Sequence, residues 1–275
     1  CPPGRLIETT GIFLAAIIKR QYQAMAEEAV QENTSQVMSH SWQDEYDEAP
    51  TTGPPIPDYL KKNYWWAYLH PRSVAIFEHQ WIINSILWGH YDRLRNSALD
   101  ELGAEISGRT LQVACVYGDL TPELAERQLP SARLDVVDVA PIQLKNLWRK
   151  VKGHANVVLN CQDASSLSFQ EGSFDQVLFF FLLHELPLEV REKAIHEAQR
   201  VVKPGGKIIF VDYHRPVWQH PHRYLMQPVL KLLEPFALDL WDTEIAAWLD
   251  NDNQPGKISK CTYFGGLYQK VVMQM

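Results

Sequence analysis

Regular alternation begins after Gly108, where short apolar runs take turns with segments whose apolar positions recur at helical spacing. The runs predict strands over Thr110–Val116, Arg133–Val137, Asn156–Asn160, Phe174–Leu183 and Lys207–Asp212, with helices over Pro122–Leu129, Pro141–Lys150 and Leu188–Val202 between them. Phe174–Leu183 is apolar almost throughout, as a central parallel strand covered on both faces must be. Lys203-Pro204-Gly205-Gly206 is a proline–glycine stop after the last of these helices. Val217–Leu249 interrupts the pattern with apolar helices rich in Leu, Trp and Pro. Lys257–Phe264 and Leu267–Gln274 then flank Gly265-Gly266 and read as an antiparallel hairpin. Strand–helix units closed by a hairpin predict an α/β fold, a mostly parallel sheet with helices on both faces.

Upstream the pattern is weaker. Ile12–Val30 predicts one helix, and the piece through Pro50, Pro54, Pro55 and Pro57 a linker. From Asp58, a plausible N-cap, Tyr64, Trp65, Tyr68 and Leu69 form an aromatic face at helical spacing, and Pro71 breaks that helix. A second helix is expected from Arg72 to Leu102, carrying Ile76, Phe77, Trp81, Ile83, Ile86, Leu87 and Leu94. The chain therefore divides into a helix and linker (1–57), an aromatic helical segment (58–107) and a sheet domain (108–275) with a helical insert at 217–249. Packing accounts for many of these aromatics. Tryptophan and tyrosine also present an apolar body and a polar tip, which suits a greasy substrate or a bilayer interface. Tyr64, Trp65, Tyr68, Trp81 and Trp88 are the candidate substrate-mouth residues.

With 275 residues, 46% of them hydrophobic, the chain can fill a large core. A formal charge of −7 and the lack of any Lys/Arg run argue against nucleic acid as the main partner. Cys1, Cys115, Cys161 and Cys261 form no CxxC pair, so buried reduced thiols are expected rather than zinc or disulfides. No apolar run approaches the ~18 residues needed to span a bilayer. The chain starts at Cys1 rather than Met, which is compatible with a removed leader upstream.

Candidate chemistry concentrates at the turn after the first strand, Val116-Tyr117-Gly118-Asp119. In open α/β sheets a nucleotide meets exposed backbone N–H groups there. β-branched Val116 and bulky Tyr117 resist the positive φ that glycine allows, so a ligand must be held differently. Asp138, twenty residues past Gly118, closes the second strand, where a carboxylate can accept both ribose hydroxyls. Its plainer role is to cap the helix that Pro141 opens.

The order of parts resembles the class I S-adenosylmethionine-dependent methyltransferases over residues 108–275. Gln162-Asp163-Ala164, Gly172-Ser173-Phe174-Asp175, Lys203-Pro204-Gly205-Gly206 and the closing hairpin carry the likeness. It implies a Rossmann-type sheet and S-adenosylmethionine held by Gln112, Ala114, Val116, Tyr117, Gly118, Asp138, Val139, Gln162, Asp163 and Ala164. The first turn departs from that pattern: Gln112 replaces the usual acid, and Ala114 and Val116 replace two glycines. With Tyr64–Pro71, Leu99–Gly103 and Tyr263–Tyr268, this turn resembles the RquA family of rhodoquinone biosynthesis, over about residues 58–275.

That likeness implies conversion of ubiquinone to rhodoquinone, an amino group from S-adenosylmethionine replacing a ring methoxy, with help from a divalent metal, manganese. Tyr117, Asp119 and His184 are the candidate catalytic residues. Manganese prefers carboxylate and imidazole ligands, so Asp119, His184, Asp212 and His214 are the candidate set, with Glu185, His220 and His222 behind them. A lipid-tailed substrate further implies a peripheral protein of an inner membrane, on the cytoplasmic face in a bacterium or the matrix face in a mitochondrion, held by inserted aromatics. Two other readings stand beside it: a methyltransferase acting on a quinone or another lipid, and a non-catalytic binding protein of the same fold. The sequence leaves the oligomeric state open.

Overall fold

The computed structural model describes residues 53–250 and 252–275, so the helix expected at Ile12–Val30 lies outside the described residues. Among the described residues, seven strands form one sheet: β1 Arg109–Val113, β2 Arg133–Asp138, β3 Val157–Cys161, β4 Phe174–Phe180, β5 Val202–Tyr213, β6 Lys257–Tyr263 and β7 Tyr268–Gln274. Their order is β3-β2-β1-β4-β5-β7-β6. The first five run parallel, and β7 lies antiparallel between β5 and β6. Chain order reverses between β1 and β4, which opens a crevice outside their carboxyl ends.

Both strands at that crevice end abruptly. β1 stops at Val113 rather than Val116 because Ala114 turns to φ +73°, and β4 stops at Phe180 because Phe181 turns to φ +54°. Left-handed backbone at residues other than glycine is strained and collects at functional sites. At the opposite end of the sheet, Lys203–Gly206 does not separate helix from strand. β5 already begins at Val202, and its pairing with β4 shifts register between Phe174 and Gln176.

Among the described residues the longer helical elements are, in chain order, α1 Leu60–Leu69, α2 Pro71–Phe77, α3 Gln80–Ile86, α4 Tyr91–Leu102, α5 Leu120–Glu126, α6 Pro141–Val151, α7 Leu188–Val201, α8 His222–Leu233 and α9 Asp239–Asp242. The single helix expected over Arg72–Leu102 is three. Extended His79 breaks it first, and Trp88 (φ +54°) with Gly89 (φ +77°) breaks it again. α1 is wound as a π-helix, and no side chain caps its start; Asp58 lies 3.8 Å from Lys61 Nζ instead. Leu94, Ala98 and Leu99 of α4 are fully buried in the core that the sheet strands share. Cys115 and Cys161 are half-buried and Cys261 is exposed, all three as free thiols, so burial was overestimated from their strand positions. No described helix is long and apolar enough to cross a membrane.

Candidate functional site

The first turn is braced from within. Gln112 is fully buried, its Nε2 donating to Ala114 O (3.0 Å) and its Oε1 accepting from Thr121 Oγ1 (3.0 Å). Expected to meet the cofactor, Gln112 instead spends its amide holding the corner. Positive φ falls on Ala114 and Gly118 (φ +83°), which leaves Val116 and Tyr117 with ordinary backbone. The buried Tyr91 hydroxyl accepts from Asp119 N and Leu120 N, both at 3.2 Å, and donates to Tyr117 O at 3.3 Å. Those N–H groups start α5, and unsatisfied donors at a helix start are what ordinarily attract an anionic ligand. Here a tyrosine oxygen occupies them. A Cβ at Gly118 would meet that oxygen at 2.7 Å, so the position requires glycine for space as well as for φ.

Tyr117 fastens a roof over this corner. Its ring stacks on Tyr68 (centroids 5.8 Å, 8° between planes) and on Phe77 (5.9 Å, 28°). Its hydroxyl donates to Ala67 O at 2.8 Å and accepts from Gln143 Nε2 at 2.8 Å, while the same amide nitrogen lies 2.9 Å from Tyr68 O. Lys150 adds a second latch from α6, bonding Gly118 O (2.8 Å) and pairing with Glu78 Oε1 (2.7 Å), whose other oxygen accepts from Asn146 (2.6 Å). Helices α1 and α2 are thereby tied to the altered turn.

Asp138 closes β2 beside that turn. One carboxylate oxygen accepts from Cys115 N and the other from Ala140 N, each at 2.8 Å. It does not cap the following helix, whose N-cap is Ala140 without a side-chain bond, but it fixes the chain entering it, and the remaining lone pairs of each oxygen stay available to ribose hydroxyls. Burial pushes its pKa up to about 6, against the pull of the Ala140 and Cys115 N–H groups. Gln162 N bonds Asp138 O (3.1 Å), and Asp163 folds onto Ser165 N (2.8 Å), which fixes the β3 loop carrying Ala164. Val139 O faces Cys161 Sγ at 3.8 Å, and the chain at Gly53 lies so close to Cys161 that a Cβ would not fit. Burial pushes the pKa of the half-buried Tyr59 hydroxyl up, and the charges of Asp163, Glu185 and Asp138 add to the shift. A carboxylate with free lone pairs at the end of β2 fits the ribose of a nucleoside-bearing cofactor.

A methyltransferase-domain family model matches residues 110–206, the span from β1 into β5. A candidate O-methyltransferase structure from Nostoc punctiforme superposes with a TM-score of 0.59 at 14% identity, covering 81% of this chain and 64% of that one. The chain carries a class I methyltransferase fold. A second structure, of a possible exported protein from Bordetella parapertussis, aligns with a TM-score of 0.51 at 18% identity over 66% of each chain. Among curated proteins, demethylmenaquinone methyltransferases of Staphylococcus aureus are 29% identical over 133 residues, 48% of this chain and 54% of theirs. The chain thus spans about half the length of the curated relatives it matches.

At the carboxyl ends of β4 and β5 the methyltransferase-like domain carries a buried polar cluster. His184 Nδ1 lies 2.9 Å from Asp212 Oδ1, and Asp212 Oδ2 accepts from Leu183 N at 2.8 Å. Tyr68 donates to Glu185 Oε1, and His184 Nε2 is 3.8 Å from the same oxygen. Arg191, fully buried, holds the loop by donating to Leu183 O and Leu186 O, both at 2.9 Å. Burial disfavours the His184 imidazolium, yet Asp212 outweighs it and raises the pKa to about 9. Burial lifts Glu185 to about 8, opposed by His184.

Both groups hold protons in the folded chain that they would release on unfolding. Each contribution is complete below the unfolded value, 6.5 for His184 and 4.5 for Glu185, and is lost as pH rises through the folded one. Denaturation midpoints should therefore fall from pH 6.5 to 9, by up to about 1.4 kcal/mol per pH unit for each group. Glu185→Gln should flatten the part of that decline below pH 8. A wild-type stability that rises over this range would contradict the assignment.

The four expected metal ligands do not converge. Asp119 is engaged by Arg95 of α4 and, at 3.0 Å, by Gln80 of α3. His184 and Asp212 pair with each other. His214 Nδ1 donates to Gly266 O at 2.8 Å. His220 and His222 lie apart from these, against Phe264. Among the described residues no three His, Cys, Asp or Glu side chains come together to hold a metal ion. The described residues therefore do not fit a protein-held manganese ion. Of the candidate catalytic groups, Tyr117 and His184 both reach Tyr68 or its partner Glu185, whereas the contacts of Asp119 are with α3 and α4.

The substrate-mouth candidates also divide. Tyr64 is buried under the roof, Trp65 and Tyr68 are half-buried, and Trp81 is 68% exposed. Trp88, itself exposed, packs its ring edge on His222 (4.5 Å) and reaches Met226 Sδ (3.2 Å) on α8. Tyr59, Glu78, Tyr91, Gln143, Lys150 and Glu234 belong to the site and went unmarked in the sequence. Each acts on a group far along the chain, which periodicity does not register.

Proposed function

We propose that the protein is a quinone-modifying transferase that replaces a ring methoxy group of ubiquinone with an amino group drawn from S-adenosylmethionine. One observation carries this reading: the corner that should grip the donor's amino-acid end has been closed. Gln112 is committed to Ala114 and Thr121, and the first N–H groups of α5 are committed to Tyr91. The side chain at position 112 and two backbone donors that could hold the amine and carboxylate of a methyl donor are thus engaged elsewhere, which leaves the amine to react. A free α-amino group has a pKa of ~8 and needs little help to lose its proton near neutrality. The quinone class is supported by the likeness to demethylmenaquinone methyltransferases.

In this reading Asp138 holds the ribose, the Tyr68–Tyr117 roof excludes water, and the acceptor ring lies against His184 and Glu185. Exposed Trp81, Ile86, Trp88, Val217 and Trp218 would rest in the surface of an inner membrane, from which the lipid substrate is drawn. Methylation of a quinone or another lipid is the second reading, favoured by the chemistry named for those same relatives. Incubating the purified chain with ubiquinone, S-adenosylmethionine and manganese, then weighing the quinone, separates the two. Exchange of methoxy for amino is the expected product. A quinone heavier by a methyl group would sink the first reading and support the second.

A further inference from the structure

Tyr268 begins β7 beside the end of β5, and it pairs across the sheet with Tyr213 on one side and Tyr263 on the other. It is fully buried, and its hydroxyl has no hydrogen-bond partner among the described residues. A buried tyrosine ordinarily finds one. Tyr68, Tyr91, Tyr117 and Tyr263 all do, the last sharing a hydrogen bond with Ser97 Oγ. Tyr64 also lacks a bond, but the charge of Glu234 acts on its hydroxyl. Burial alone pushes the pKa of Tyr268 up, so its hydroxyl stays protonated and able to donate.

The rings around Tyr268 mark the same place. Phe264 stacks on it (centroids 6.3 Å, 17° between planes), Tyr213 lies at 5.7 Å, and Phe181 meets it edge-on at 5.8 Å. Phe181 and Phe264 both have positive φ, +54° and +48°. Strain of this kind at residues other than glycine gathers where a ligand is gripped. Both rings are half-buried, so the aromatic group reaches the surface. Phe181 also meets His184 edge-on at 6.0 Å, and Tyr213 meets it at 4.9 Å, which joins the group to the carboxyl ends of β4 and β5. Apolar walls with one unspent donor suit a planar ring that carries a carbonyl oxygen.

We propose that Tyr268 is a catalytic residue whose hydroxyl donates a hydrogen bond to a carbonyl oxygen of the quinone, with the ring held among Phe181, Tyr213 and Phe264. This rests on the quinone-modifying reading. The hydroxyl keeps its proton and draws electron density from the ring. Negative charge that a nucleophile pushes onto the oxygen then meets a donor already in place. An unbonded buried hydroxyl is a cost to the free chain, and the ligand oxygen offsets it.

The test uses the full chain and a short-tailed ubiquinone isotope-labelled at its carbonyl carbons. Tyr268→Phe removes the hydroxyl and keeps the ring. It should lower kcat by ~100-fold, the scale of a lost donor to a developing oxyanion. Quinone binding should weaken by up to ~10-fold, and the infrared band of the bound carbonyl should move to higher frequency. The thermal midpoint should not fall, because no bond within the chain is lost. Tyr263→Phe is the counterpart: its hydroxyl is bonded to Ser97, so its midpoint should fall while turnover holds. A carbonyl band that Tyr268→Phe leaves in place overturns the proposal, as does turnover at the wild-type rate. So does a midpoint lowered as far as in Tyr263→Phe, which would give the hydroxyl a partner within the chain. A wild-type chain that methylates without aminating defeats the amino-transfer reading alone, and the band still decides the place of Tyr268. One that binds no quinone defeats both.

Discussion

Tyr117→Ala should lower turnover of the quinone by at least ~100-fold and destabilise the chain by about 3 kcal/mol. The stability loss follows from removing a ring packed between Tyr68 and Phe77, with its hydroxyl bonded at both Ala67 O and Gln143. Stacking beyond area burial adds about 1 kcal/mol to such a loss. The catalytic loss has a separate cause. Tyr68 would no longer be fixed over Glu185, and a misplacement of about 1 Å can cost a hundredfold in rate. Tyr117→Phe keeps the stack and loses only the hydroxyl, so it should cost about 1 kcal/mol and leave most of the turnover. Urea denaturation and initial rates on both variants check this. A Tyr117→Ala protein with wild-type stability and rate would mean that the roof does not depend on the turn.

Asp138→Ala should weaken binding of S-adenosylmethionine by ~100-fold, the equivalent of losing two hydrogen bonds to a carboxylate at about 1.5 kcal/mol each. Cys115 N and Ala140 N would also lose their acceptor, so Asp138→Asn serves as the milder control. The pKa of about 6 gives the wild-type protein its own signature. Affinity should fall as pH drops below 6, because a protonated Asp138 has given up part of its acceptor capacity. Calorimetric titrations at pH 5 and pH 8 would show it as a wild-type difference that the Ala variant lacks. An affinity independent of both pH and substitution would place the donor elsewhere.

Much of the sheet could be read from the chain because its signals are local. Phe174–Phe180 is apolar enough to be recognised as buried on both faces, and Gly265-Gly266 marks the turn between β6 and β7. Asp138 was legible for the same reason, closing a strand before a helix that Pro141 opens. The ends of β1 and β4 were not, because nothing in Ala114 or Phe181 announces a left-handed backbone that surrounding packing imposes. The long helix expected at Arg72–Leu102 failed at His79 and at Trp88-Gly89, where burying Tyr91 and Leu94 against the sheet outweighs helical continuity. Tyr91 reads as one more core aromatic, and only the fold shows its hydroxyl closing the start of α5. Glu234 was hidden for a similar reason. It follows an apolar helix as an ordinary polar terminus, and only the fold shows its Oε2 buried without a hydrogen-bond partner.

The account rests on which atom of the donor reaches the acceptor. S-adenosylmethionine carrying one isotope label on its α-nitrogen and a different one on its sulfonium methyl distinguishes the alternatives in a single incubation with ubiquinone. The quinone product should carry the nitrogen label and have lost a methoxy group. A product that carries the methyl label, with every methoxy retained, would contradict the account.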